Sequence, residues 1–121
     1  MSGRILIVED QEDNRRIMRD LFTHARYEVI EAMSGDEGVA MAETHRPDVI
    51  LMDIQLPGID GYEAMRRIKA NPLLQHIPVI AVTSYALSGD EEKARAAGCD
   101  AYFSKPVNAR ALLEQVRHYT S

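Results

Sequence analysis

The 121-residue chain has a single cysteine, Cys99, and no long apolar run. One cysteine cannot form an internal disulfide, and without a neighbouring thiolate it cannot build a cysteine-rich metal site. No stretch approaches the roughly 20 apolar residues that span a bilayer, and the first residues lead into a short hydrophobic run rather than a signal peptide. We therefore expect a cytoplasmic protein without a membrane segment, in which Cys99 is a small packing residue.

Basic residues are fewer than acidic residues in this chain. The chain has 14 lysine and arginine residues against 19 aspartate and glutamate residues, a formal net charge of -5. Nucleic-acid binding depends largely on clustered basic side chains that release counterions from phosphates. The composition therefore argues against direct DNA binding.

Short apolar runs recur along the chain and predict buried strands. Four are unbroken, as expected for strands of a parallel sheet that are covered on both faces: residues 5–8, 49–52, 79–82 and 101–103. A weaker run, residues 27–31, carries Glu28 and Glu31 and suits a more exposed strand. The segments between the runs have helical spacing, and alternation with right-handed crossovers predicts an open α/β parallel sheet with helices on both faces. The sequence has no repeat, linker or low-complexity stretch, so we expect one domain over residues 1–121 and no output domain.

Local signals predict where several helices begin and end. Capping boxes, in which a side-chain oxygen caps a free amide and an acid follows three residues later, occur at Ser34 with Glu37, Asp60 with Glu63, and Ser88 with Glu91. Gly98 is placed to end the fourth helix in a left-handed conformation.

Polar side chains follow the predicted strands where each of them ends. Glu9 and Asp10 follow the first strand, Asp53 the third, Thr83 the fourth, and Lys105 comes soon after the fifth. In an open parallel sheet, ligands bind outside the carboxyl ends of the strands, where the strand order reverses. We therefore expect these side chains to form one site.

The chemistry of this set favours phosphoryl transfer. Three converging carboxylates repel one another and need a cation, and Mg²⁺ prefers oxygen ligands that include one or two carboxylates and phosphate oxygens. Lys105 supplies a positive charge and Thr83 a hydroxyl donor, which are the groups that an incoming phosphoryl group needs beside an attacking carboxylate.

Four motifs resemble those of the response-regulator receiver family. They are ILIVED at residues 5–10, LMDIQLPGIDG at 51–61, AVTS at 81–84 and YFSKP at 102–106, and the resemblance covers the whole chain in order. It implies a flavodoxin-like (βα)5 fold, with five parallel strands in the order 2-1-3-4-5. The stretch 82–94 is also similar to single-domain regulators of bacterial cell division and polarity, and to receivers attached to hybrid kinases.

The resemblance implies a role for each site residue. Asp53 would be the phosphoacceptor and would bind Mg²⁺ together with Asp10 and the backbone carbonyl of Gln55, while Glu9 would act through water. The pair Glu9-Asp10 departs from the commoner two aspartates, which affects the expected metal affinity or phosphoryl lifetime. Gln55 and Tyr85 resemble positions that tune self-dephosphorylation.

The remaining implied roles concern binding of the phosphoryl group and the response to it. Lys105 would pair with the phosphoryl group after a cis bond to Pro106, and Thr83 would donate a hydrogen bond to it. Tyr102 would change rotamer as Thr83 moves, although a half-buried aromatic in a sheet is also an ordinary structural residue.

The resemblance further implies a signalling switch rather than an enzyme, with self-phosphorylation and self-dephosphorylation as its only chemistry. The phosphodonor would be a sensor histidine kinase or a histidine phosphotransfer protein. The face of the fourth helix, fifth strand and fifth helix would bind a downstream protein or support a phosphorylation-dependent dimer.

Three other functions fit parts of the pattern. An aspartyl-nucleophile hydrolase would need a second acid where Gln55 stands and a cap domain. A flavin- or nucleotide-binding domain conflicts with the acidic loop at residues 9–13, which lacks a glycine-rich cradle. A docking module that works unphosphorylated would not need Asp10, Asp53, Thr83 and Lys105 together.

Overall fold

The computed structural model describes residues 3–84 and 89–120, in which five strands alternate with five helices. The elements are β1 (Arg4–Val8), α1 (Glu12–His24), β2 (Glu28–Ala32), α2 (Gly35–His45), β3 (Val49–Asp53), α3 (Gly61–Ala70), β4 (Val79–Thr83), α4 (Asp90–Ala97), β5 (Ala101–Ser104) and α5 (Ala109–Thr120). The predicted alternation is confirmed.

All neighbouring strands pair in parallel, in the order β2-β1-β3-β4-β5. The predicted fold class and strand order are therefore confirmed. The chain leaves β1 for the edge strand β2 and returns to the other side of β1 with β3, so the order reverses between β1 and β3. Val8 pairs with Met52 across this reversal, which brings the residues that follow them to the same edge of the sheet.

Two hydrophobic layers explain why the central strands are apolar without interruption. Leu6 and Ile50 face one cluster, which includes Met65 of α3, while Ile5 and Val49 face the other, on the opposite side of the sheet. Every residue of β3 is buried, whereas β2 lies at an edge and keeps Glu28 exposed. Burial on both faces removes the polar positions that a half-exposed strand would show.

Helix ends follow the local signals closely. The Ser34 hydroxyl accepts a hydrogen bond from the Glu37 amide at 3.1 Å, and the Asp60 carboxylate accepts one from the Glu63 amide at 2.9 Å. Gly98 has φ +115° after α4, which confirms its left-handed role. The predicted cap Ser88 lies outside the described residues. No helix in the described ranges combines the length and apolar composition that crossing a bilayer requires.

Candidate functional site

Three carboxylates meet at the edge where the strand order reverses. Glu9 and Asp10 follow β1 and Asp53 ends β3, and one oxygen of each lies within 4.8 Å of the others. Glu9 is fully buried and Asp53 is 5% exposed, whereas Asp10 is exposed. The cluster is therefore open to solvent on the side of Asp10.

Lys105 reaches this cluster from the loop after β5. Its ammonium lies 2.5 Å from Glu9 Oε1 and 3.3 Å from Asp53 Oδ2. The Lys105 amide donates to the Thr83 carbonyl at 2.7 Å, and the bond from Lys105 to Pro106 is cis, as the resemblance implied. One ammonium does not balance three carboxylates, so the ionised site keeps an excess of negative charge.

The environment shifts the pKa values of Glu9 and Lys105, which form the closest ion pair of the site. Burial raises the pKa of the Glu9 carboxyl, and the hydrogen bond from Lys105 opposes this only in part. Burial works to lower the pKa of Lys105, but the hydrogen bond to Glu9 and the charge of Asp53 outweigh it, so its pKa lies above the ordinary value. Lys105 therefore stays charged at neutral pH and serves as the counterion of the site.

The donors fit a hard divalent cation. They are carboxylate oxygens, they carry excess negative charge, and the exposed Asp10 leaves a side from which an ion with bound water can enter. These are the features of a Mg²⁺ site, in which the ion keeps several waters and takes few protein ligands.

The loop after β3 is folded tightly against Asp53. The Gln55 amide donates to Asp53 Oδ1 at 3.1 Å, and the Gly61 amide donates to the Ile54 carbonyl at 2.8 Å. A Cβ at position 61 would lie 2.3 Å from the Asp53 carbonyl oxygen and 2.6 Å from Ile54 Cα. Only glycine permits this approach, which keeps Gln55 next to the carboxylate.

Thr83 and Tyr102 lie on the neighbouring strands β4 and β5. Thr83 is 2% exposed at the end of β4. Tyr102 is half-buried on β5, and its hydroxyl is buried without a hydrogen-bond partner in the part of the chain that the structure describes. Burial raises its pKa. Tyr85, the other predicted tuning residue, lies outside the described residues.

Comparison with known proteins identifies the family. The model of the response regulator receiver domain matches residues 5–117. The chain belongs to this family. Among curated relatives of this receiver domain, the polar-differentiation response regulator DivK of Brucella abortus (strain 2308) is 46% identical over 119 residues, which cover 98% of this chain and 97% of the relative.

Solved receiver structures have the same fold. The receiver domain of the sensor histidine kinase PA1611 from Pseudomonas aeruginosa PAO1, crystallised with a magnesium ion coordinated in its active site cleft, is 35% identical. Its TM-score is 0.91, and 98% of each chain is covered. A CheY-like receiver domain protein from Methanospirillum hungatei JF-1 is 36% identical with a TM-score of 0.88, covering 98% of this chain and 93% of the other.

One residue near the site of this receiver domain was missed by sequence reasoning. Arg15 of α1 is 7% exposed and donates from NH1 to the Glu9 carbonyl at 2.9 Å. Its spacing from Met18 and Phe22 is the signal that could have found it, because positions 15, 18 and 22 share one buried helix face.

Proposed function

We propose that this receiver domain, acting as one unit over residues 1–121, is a phosphorylation switch whose phosphoacceptor is Asp53. The phosphoryl group would come from a phosphohistidine of a sensor histidine kinase or a histidine phosphotransfer protein. The observation that carries the proposal is the setting of Asp53. Its nearly buried carboxylate has Oδ1 held by the Gln55 amide and Oδ2 beside Lys105, so the nucleophile is oriented before a donor arrives.

In the transfer step, an Asp53 oxygen attacks the phosphorus, the phosphorus–nitrogen bond to histidine breaks, and the imidazole of the donor leaves with a proton. Lys105 stabilises the charge on the equatorial phosphoryl oxygens, and the Thr83 hydroxyl donates to one of them. The product is an acyl phosphate, and its hydrolysis returns Asp53 to the carboxylate. Self-phosphorylation of Asp53 from the donor and self-dephosphorylation by hydrolysis would be the only chemistry of the chain.

Asp10, Asp53 and the Gln55 carbonyl would hold Mg²⁺, with Glu9 acting through water. Bound there, the ion neutralises charge on the phosphoryl oxygens. The convergence of the carboxylates supports this assignment, as does the magnesium ion in the PA1611 receiver domain.

Phosphorylation adds a charge near -2 beside Thr83. In the proposed switch Thr83 moves toward the phosphoryl group and Tyr102 turns into the space that it leaves. The buried Tyr102 hydroxyl gives up no hydrogen bond to any described residue when it moves, which supports this role. The face of α4, β5 and α5 would then change shape and bind a downstream protein or a second copy of the chain. The likeness over nearly the whole length of DivK, a polar-differentiation response regulator, supports a role as a response regulator.

Incubation with acetyl phosphate and Mg²⁺, followed by intact-mass measurement, tests the proposal. We expect wild type to gain one phosphoryl mass, and Asp53→Asn or added chelator to abolish the gain. Asp60→Asn is the matched control, because asparagine also caps a helix and Asp60 contacts the Glu63 amide rather than the site. An Asp53→Asn protein that still gains the full phosphoryl mass would overturn the assignment. If wild type gains nothing from acetyl phosphate, two readings are left: a domain that demands its own kinase, or a docking module, and failure with its own phosphorylated histidine kinase would favour the docking module.

A further inference from the structure

Arg15 is a buried charged side chain next to the acidic cluster, and the transfer step described above does not use it. It lies on α1 with 7% of its surface exposed. A guanidinium removed from water must have its hydrogen bonds satisfied, because an unpaired buried charge is strongly destabilising. The partners of Arg15 therefore show what its charge does.

All three guanidinium nitrogens of Arg15 are occupied. Nε donates to Glu31 Oε1 of β2 at 2.9 Å, and NH1 donates to the Glu9 carbonyl oxygen at 2.9 Å. NH2 pairs with Glu12 of its own helix. Two carboxylates thus neutralise and orient the guanidinium, and its remaining bond goes to the main chain of the candidate metal site.

The bond to the Glu9 carbonyl fixes one particular peptide plane. The Glu9 amide donates to the Ala32 carbonyl at 3.0 Å, so β2 holds Glu9 on one side and Arg15 holds it on the other. The carbonyl that Arg15 holds belongs to the peptide that joins Glu9 to Asp10. Rotation of this peptide would change the direction in which both side chains leave the backbone.

We propose that Arg15 is a positioning residue for Mg²⁺ binding, holding the Glu9–Asp10 peptide so that both carboxylates converge with Asp53. The inference rests on the metal site proposed above. Groups that orient metal ligands without touching the metal typically contribute about 10- to 100-fold to affinity. Because the contact is a charge-assisted bond in a buried setting, we expect Arg15→Gln to weaken Mg²⁺ binding by about tenfold.

The test is calorimetric titration of each 121-residue chain with Mg²⁺ alone, with no phosphodonor present. Arg19→Gln is the matched control, because Arg19 donates to the same Glu31 carboxylate at 3.1 Å but makes no hydrogen bond to Glu9 among the described residues. Arg19→Gln removes the same charge from the same helix but leaves the bond from Arg15 to the Glu9 carbonyl in place. Its Mg²⁺ affinity should therefore stay near that of wild type. Arg15→Lys keeps the charge but cannot make all three contacts, so its affinity should fall between those of wild type and Arg15→Gln.

Circular dichroism of each metal-free variant separates lost positioning from lost folding. The Mg²⁺ concentration for half-maximal phosphorylation by acetyl phosphate should rise by the same factor as the dissociation constant. Folded Arg15→Gln that binds Mg²⁺ as tightly as wild type would overturn the inference, and so would Arg19→Gln with an equal loss. If Arg15→Gln does not fold, Arg15→Lys decides by the same comparison. Wild type that binds no Mg²⁺ would instead overturn the metal site itself, and the inference with it.

Discussion

Replacing Lys105 by methionine tests how the metal-free site is held together. The substitution removes the ammonium that lies 2.5 Å from Glu9 and 3.3 Å from Asp53 and keeps an unbranched side chain. Glu9 is fully buried and retains one described donor, the Gln11 amide at 3.2 Å. Removing one partner of a buried ion pair costs about 3–5 kcal/mol when the other charge has no alternative.

Glu9 has an alternative, because it can take up a proton. Protonation costs about 1.4 kcal/mol for each pH unit above the ordinary pKa of 4.5, which limits the penalty to about 3.4 kcal/mol at pH 7 and about 1.4 kcal/mol at pH 5.5. Burial already raises the pKa of Glu9 in wild type, so part of this free-energy penalty is present before the substitution. That part does not appear in the stability difference between Lys105→Met and wild type. We therefore expect Lys105→Met to lose about 2 kcal/mol of unfolding free energy at pH 7 and under about 1 kcal/mol at pH 5.5.

Urea unfolding followed by circular dichroism, with chelator present, measures both values. A loss of about 2 kcal/mol lowers the urea midpoint by about 1–2 M for a protein of this size. Lys93→Met is the control, because Lys93 is exposed and lies 4.5 Å from the centre of the Tyr62 ring, away from the carboxylates. Its loss should be about 0.5 kcal/mol and equal at the two pH values. A Lys105→Met protein as stable as wild type at pH 7, or with a loss that does not shrink at pH 5.5, would refute the reasoning.

Three further outcomes are expected. Gly61→Ala should lower the unfolding free energy measured in urea by several kcal/mol, because the added Cβ meets backbone atoms of Asp53 and Ile54 that cannot move aside. The same clash should slow phosphoryl uptake. Unchanged stability would contradict the tight loop. Tyr102→Phe should leave the metal-free protein as stable as wild type or more stable by about 1 kcal/mol, since the buried hydroxyl has no hydrogen-bond partner among the described residues. A clear loss of unfolding free energy would reveal a partner. Because the pKa of Glu9 is raised on folding, its contribution to stability is full below pH 4.5 and is lost as the pH rises through the raised value. The stability of metal-free Glu9→Gln relative to wild type should therefore increase with pH across that window, and a constant difference would argue against the raised pKa.

The sequence by itself determined the elements and the chemistry of their ends. Unbroken apolar runs predicted the strands, because burial on both faces leaves no polar position, and the caps Ser34 and Asp60 act within three residues of the amides that they satisfy. The family motifs supplied the strand order, which places Glu9 and Asp53 side by side. All of these signals are local or are carried by contiguous motifs, so one sequence suffices to read them.

Only the tertiary structure decided which side chains pair. Lys105 lies closer to Glu9, 96 residues away in the chain, than to the predicted phosphoacceptor Asp53. The tertiary structure also decided that Arg15 is buried, with its guanidinium joining α1 to β2 and to the end of β1. Such pairings depend on the directions of side chains that different strands and helices bring together, and on how fully water is excluded between them. Neither quantity is set by neighbours in the sequence, which is why the spacing of residues predicted the site but not its internal contacts.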